Sequence, residues 1–202
     1  MLLNLDAIRN GIIHDYPYRW ILFNNVINES AKSELVSTPP PEDQFQYGEK
    51  DGYGHWVGPP FRKDRVFSKG TAWQKLIEEL HSSTYRIAFE ELTGLDLSEH
   101  ILGMLLYQYD PGHGTYPHRD NLGCTIVHMF YFSEKWDSRW GGCFRILKNS
   151  HPDSAFIDVP PLFETSVAFI NSDKAWHMVS HIAPDVTQIR YALKASFYKP
   201  QE

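Results

Sequence analysis

Apolar positions change their period near residue 100. Between residues 72 and 93 the chain places Leu76, Ile77, Leu80, Ile87 and Leu92 near one stripe, the spacing of a helix with one buried face. Thr71 can cap its start and Gly94 can stop it. From Ile101 onward short runs rich in Ile, Val, Tyr and Phe alternate with Gly, Pro, Asn and Asp. They predict strands over 102–109, 124–133, 143–147, 155–159, 165–171, 176–182 and 190–198. The first third reads as helical and irregular, with a short helix over 28–36 capped by Asn28 and ending before Pro39-Pro40-Pro41. Residues 40–68 are rich in Gly, Pro, charge and aromatics, so they are expected to form a long loop or a set of short strands. Helices followed by seven or eight short strands suggest a mainly β jelly-roll or barrel backed by the N-terminal helices.

The chain has 202 residues, which fits one domain with a single sizeable core. We therefore expect a helical and loop support region over 1–100 and a catalytic β core over 101–199. A net charge of −6 argues against nucleic acid as a partner. The start, Met1-Leu2-Leu3-Asn4-Leu5-Asp6, lacks a basic region before an apolar core, so it does not read as a signal peptide. No apolar run reaches the roughly 20 residues that span a bilayer. Cys124 and Cys143 are the only cysteines, and free core thiols in a reducing, cytoplasmic setting are the expectation.

One short motif suggests chemistry. In Tyr116-Pro117-His118-Arg119-Asp120, a His and an Asp two apart in extended chain point the same way. Two imidazoles and one carboxylate on one face of an octahedral ion leave three positions open, the ligand set of non-haem iron(II) oxygenases. A distant third ligand is then required, and His177 is the choice. His181, four residues on, would face the same side of a strand. A lone His-x-Asp carries little weight, because the chain contains a second, His151-Pro152-Asp153. That copy lies among Asn149, Ser150 and Ser154 and reads as a turn. His128, inside an apolar strand, reads as a core histidine.

The ordered set is more specific than any piece. Tyr109, Gly112 and Gly114 precede His118-Arg119-Asp120. The strand Thr125 to Phe132 follows, then Trp140-Gly141-Gly142, Val167-Ala168-Phe169 and Trp176-His177-Met178-Val179. Arg190 then opens the last strand. His177 lies 59 residues after His118, and Arg190 lies 13 after His177. Over residues 101–199 this order resembles the prolyl 4-hydroxylase-like branch of the non-haem iron(II)/2-oxoglutarate dioxygenases.

The resemblance implies a double-stranded β-helix (a jelly-roll of cupin-like type) with N-terminal helices packed on one sheet. It implies Fe(II), 2-oxoglutarate and O2, with ascorbate as a supporting reductant. It favours His177 over His181 as third ligand, because a bulky residue precedes the family's distal His and Val stands two after it. It implies that Arg190 grips the distal carboxylate of 2-oxoglutarate, for which a guanidinium fork is well shaped. Many relatives carry Ser or Thr two residues after that Arg. Here the residue is Ala192, so Tyr109 is the candidate hydroxyl. Halogenating relatives lack the carboxylate that Asp120 supplies, so hydroxylation or another radical oxidation is implied.

A small-molecule substrate, such as an amino acid or natural-product intermediate, is expected. Trp56, Arg62 and Trp140 are candidates to line its pocket. The alternatives are hydroxylation of a protein side chain, or a non-redox metal-binding jelly-roll of the cupin type. Oligomeric state is left open.

Overall fold

The computed structural model describes residues 1–39, 45–61 and 71–200. In chain order it runs α1 (Leu5–Arg9), β1 (Trp20–Asn24), a short 3-10 turn leading into α2 (Lys32–Ser37), β2 (Gln46–Lys50), β3 (Tyr53–Val57), α3 (Ala72–Leu80) and α4 (Ser83–Thr93). The strands β4 (Ile101–Tyr109), β5 (Cys124–Tyr131), β6 (Phe144–Leu147), β7 (Ala155–Val159), β8 (Thr165–Ile170), β9 (His177–Val179) and β10 (Arg190–Tyr198) follow. No helix among the described residues is long and apolar enough to cross a membrane.

The strands form two antiparallel sheets. The larger has the order β1-β8-β5-β10-β4-β3-β2, and the smaller has the order β7-β6-β9. This mainly β, two-sheet arrangement is consistent with a jelly-roll. The period-2 pattern decides which sheet face meets what. In β5, Ile126, His128 and Phe130 face one apolar cluster, while Val127, Met129 and Tyr131 face the other sheet. In β10, Leu193, Ala195 and Phe197 join the first cluster and Ala192 the second. Tyr85 and Phe89 of α4 lie against Phe197, and Trp73 of α3 lies against Phe132. Inside this apolar layer, His128 bonds Tyr85 Oη through Nδ1 and Ser166 Oγ through Nε2, each at 3.0 Å. It is the satisfied core histidine that its apolar flanks suggest. Both cysteines are free and buried.

Three expectations about local structure are corrected. The single helix over 72–93 is two helices. Ser82 caps the second by accepting from Tyr85 N, and its own hydroxyl donates to Glu79 O. The break resets the helical phase, so Ile87 is 41% exposed while Tyr85, Ala88 and Phe89 take the buried face. Thr71 does cap the first helix, accepting from Gln74 N. The first third is not wholly helical and irregular, because Trp20-Ile21-Leu22-Phe23-Asn24 forms an edge strand paired with β8. Asn28 stands before the turn leading into α2, but its side chain bonds Met1 O instead of capping.

In the described part of 40–68 the short-strand alternative holds. Lys50 pairs with Tyr53, and Asp51 and Gly52 form the two-residue turn between them with φ of 54° and 77°. Positive φ at both positions is what a tight hairpin of this hand requires. Trp56 and Val57 then pair with Gln108 and Tyr107, which docks the hairpin on β4.

Candidate metal centre

Residues 117–121 run as irregular chain, yet backbone bonds fix His118. His118 N donates to His177 O and His177 N donates to His118 O, both at 2.9 Å. This isolated antiparallel bridge adds His118 to the edge of the smaller sheet beside β9. The rings stand 4.4 Å apart between centroids. Asp120 follows, and its Oδ2 lies 3.8 Å from His177 Nε2. His118, Asp120 and His177 each offer one ligand atom, and these atoms lie within 4.8 Å of one another.

Each ring is oriented by a backbone carbonyl. His118 Nδ1 bonds Tyr116 O at 2.8 Å, and His177 Nδ1 bonds Ala175 O at 2.9 Å. A carbonyl oxygen only accepts, so each ring carries its proton on Nδ1 and leaves the Nε2 lone pair free. Burial keeps both rings neutral. It lowers the His118 pKa below the usual histidine value and takes His177 down to about 3. For Asp120, burial pushes the pKa up, but the opposing influences, led by the ammonium of Lys194, outweigh it and hold the carboxyl below its ordinary value. Asp120 Oδ1 accepts from Lys194 Nζ at 2.5 Å, while Oδ2 is buried with no hydrogen-bond partner. Two free imidazole nitrogens and an orphaned carboxylate oxygen facing one point fit a divalent iron.

His181 does not join them. The strand expected over 176–182 ends at Val179, so its alternation is lost before residue 181. The exposed His181 ring instead stacks on Tyr53 at 4.2 Å. The second His-x-Asp, His151 and Asp153, sits on a surface turn as expected.

Arg190 is fully buried at the start of β10. Its register partner in β4 is Tyr109, and its guanidinium lies 4.7 Å from that ring and 5.3 Å from the Tyr131 ring. Nε donates to Gly142 O at 2.7 Å, but Nη1 and Nη2 are buried without partners. Such a fork is costly to bury empty and is shaped for a carboxylate. Gly142 can sit this close because Gly141 and Gly142 adopt φ of 72° and 66°, with Gly142 N donating to Ser180 O.

Two spaces open on the triad. One is a cavity of about 150 Å³ walled by His55, Tyr107, Tyr109, Tyr116 and Phe144. The other is a wider groove of about 550 Å³ bordered by Arg119, Leu122 and Trp176. Tyr109 thus stands near both Arg190 and the cavity. Trp56 and Trp140 line neither space. The Trp56 indole donates to Asp110 at 2.7 Å, and Trp140 packs on Trp136. Arg62 lies outside the described residues. Sequence reading missed Lys194, Tyr131 and His55. Lys194 was legible in principle, because it stands four residues after Arg190 on one strand and so shares its face.

A search of curated sequences finds no match. Among solved structures the chain is similar in fold to a Pseudomonas putida prolyl-4-hydroxylase, with a TM-score of 0.70, 17% identity, and coverage of 90% of this chain and 92% of that one. It is also similar to a prolyl hydroxylase from Trichoplax adhaerens solved with a hypoxia inducible factor peptide, with a TM-score of 0.65, 18% identity, and coverage of 89% and 83%. An oxidoreductase of the 2OG-Fe(II) oxygenase family from Burkholderia pseudomallei gives a TM-score of 0.58, 15% identity, and coverage of 86% and 80%. The model of the 2OG-Fe(II) oxygenase superfamily matches residues 104–198, a span that includes His118, Asp120, His177 and Arg190, and over that span the chain is similar to that superfamily.

Proposed function

We propose that this chain is a 2-oxoglutarate-dependent dioxygenase that hydroxylates an unactivated C–H bond of a small molecule such as an amino acid or natural-product intermediate, with iron(II) held by His118, Asp120 and His177. The observation that carries the assignment is the orphaned Asp120 Oδ2 beside two imidazoles whose Nδ1 protons are already committed to carbonyls. Bound iron with 2-oxoglutarate and O2 supplies the oxidising power, and 2-oxoglutarate leaves as succinate and carbon dioxide. The protein supplies position and exclusion of water. Arg190 receives the distal carboxylate on its free Nη pair, and the Tyr109 hydroxyl serves where Ala192 offers none. Ascorbate supports turnover by keeping the iron reduced. Asp120 keeps its place in the ligand set, so the reaction is oxidation and not halogenation. We read residues 1–202 as one oxygenase domain, with 101–199 as the double-stranded β-helix core and the N-terminal helices backing its larger sheet.

The aromatic-walled cavity favours a small substrate. The wider groove at Arg119, Leu122 and Trp176 favours a second reading, a residue on a peptide, since Leu122 is 63% exposed at its rim. Succinate release from 2-oxoglutarate with iron(II) and ascorbate, measured across a panel of free amino acids and short peptides, tests both. Stimulation by peptides alone would replace the small-molecule reading.

A further inference from the structure

The inner face of β10 carries two cations. Arg190 and Lys194 are four residues apart on one strand, so their backbones stand about 13 Å apart. Lys194 reaches the triad itself: its ammonium lies on Asp120 Oδ1 and its side chain, 16% exposed, lines the inner cavity. It is therefore too close to the ion to serve the far end of a chelated 2-oxoglutarate, which Arg190 suits.

A charge count shows what Lys194 adds. Iron(II), dianionic 2-oxoglutarate, Asp120 and Arg190 together sum to zero, and both imidazoles are neutral. Lys194 leaves one unbalanced positive charge in a buried site, where such a charge is costly. Asp120 is the only carboxylate among the described residues lining the cavity and the groove, and the groove adds Arg119. The site is thus cationic once loaded, in a chain whose net charge is −6. Within the cavity itself, which Arg119 does not line, a monoanion closes the count, whereas a phosphate dianion overshoots it. Neutral groups to complete its hydrogen bonds stand in the same wall: the Tyr107 hydroxyl, and His55, whose buried Nδ1 has no partner.

We propose that Lys194 is a substrate-recognition residue that receives a carboxylate of the primary substrate beside the metal. This rests on the oxygenase reading above and narrows its substrate to a carboxylic acid. The test uses the anaerobic protein loaded with iron(II) and 2-oxoglutarate, whose metal-to-ligand charge-transfer band reports the centre without turnover. A ligand bound beside the iron changes its surroundings and moves the band. N-Acetylglycine, N-acetylproline and propionate are titrated, each against its primary amide. At least one acid should shift the band saturably with an affinity ten-fold or more above that of its amide. Lys194→Met should abolish that preference while keeping the band, and Lys194→Arg should keep both. Acids that act no better than amides, acids that bleach the band by displacing 2-oxoglutarate, or a preference that survives Lys194→Met would each overturn the proposal. If Lys194→Met loses the band, the wild-type comparison of acid with amide decides. Failure of the band to form in the wild-type protein would instead count against the oxygenase reading.

Discussion

His118 and His177 exchange both backbone hydrogen bonds across an antiparallel bridge, although 59 residues separate them. The bridge sets the register of the two imidazoles by main-chain bonds. A one-residue slip would turn either ring to the opposite face.

This register separates the two candidate third ligands. His177→Ala should abolish both metal binding and metal-dependent succinate release. His181→Ala should keep most of the turnover and lose at most about 1 kcal/mol of stability with the Tyr53 stack. Metal titration and succinate assays on both variants check this. The reverse outcome would remove His177 from the ligand set.

Arg190→Leu should weaken 2-oxoglutarate binding strongly and leave iron binding nearly intact. Loss of a charge-assisted pair in a buried site costs on the order of 2–5 kcal/mol, or roughly thirty-fold or more in affinity. Arg190→Lys should restore only part, because an ammonium lacks the bidentate fork. Tyr109→Phe keeps the ring against the guanidinium but removes the hydroxyl, for an expected loss of about 1 kcal/mol. Titration of 2-oxoglutarate into the iron(II) protein, followed by the charge-transfer band, measures all three. Unchanged affinity in Arg190→Leu would leave the co-substrate without its assigned anchor.

Gly141→Ala should be among the most damaging single changes. The residue has φ 72° and ψ −149°, a region reserved for glycine, and a Cβ there would overlap the carbonyl oxygen of His181. A loss of about 3 kcal/mol is expected in denaturant unfolding. Because Gly142 O holds Arg190 Nε, weakened 2-oxoglutarate binding should accompany it. An alanine variant of wild-type stability would show that the turn can relax.

His128 predicts an acid-side weakness in the metal-free protein. Burial lowers its pKa to about 3, whereas the unfolded chain titrates near the ordinary value of 6.5. Above 6.5 both states are neutral and stability is full. As pH falls below 6.5 the unfolded chain gains a proton that the fold refuses, and the loss continues until about 3. Between pH 7.5 and 5 this amounts to about 2 kcal/mol. His177 has the same depression and adds to it. His128→Gln, which can still bond Tyr85 and Ser166, should lose less stability over that interval. Equal losses in the two proteins would show that His128 does not set the acid limb.

The sequence by itself determined the β core and the order of its chemical parts. The seven strands expected after residue 100 all form, because each is a short apolar run between turn residues and local pattern suffices. The candidate ligands were legible for the same reason: residue types in a fixed order survive without coordinates. The sequence leaves residues 40–68 open between a long loop and short strands, although Asp51-Gly52 is a residue pair suited to a hairpin turn. Tertiary structure decided what depends on contact between distant segments. Periodicity over 72–93 does not reveal that Ser82 caps a second helix, because one helix and two with a break share most of their apolar stripe. Alternation alone favours His177 and His181 equally; the family resemblance prefers His177, and the end of β9 at Val179 shows why His181 stays outside the cluster. The pairing of Lys194 with Asp120, 74 residues apart, has no local signature. A lysine in a strand reads as a solvent-facing charge until the opposing sheet closes over it, and burial then turns that charge into part of the site.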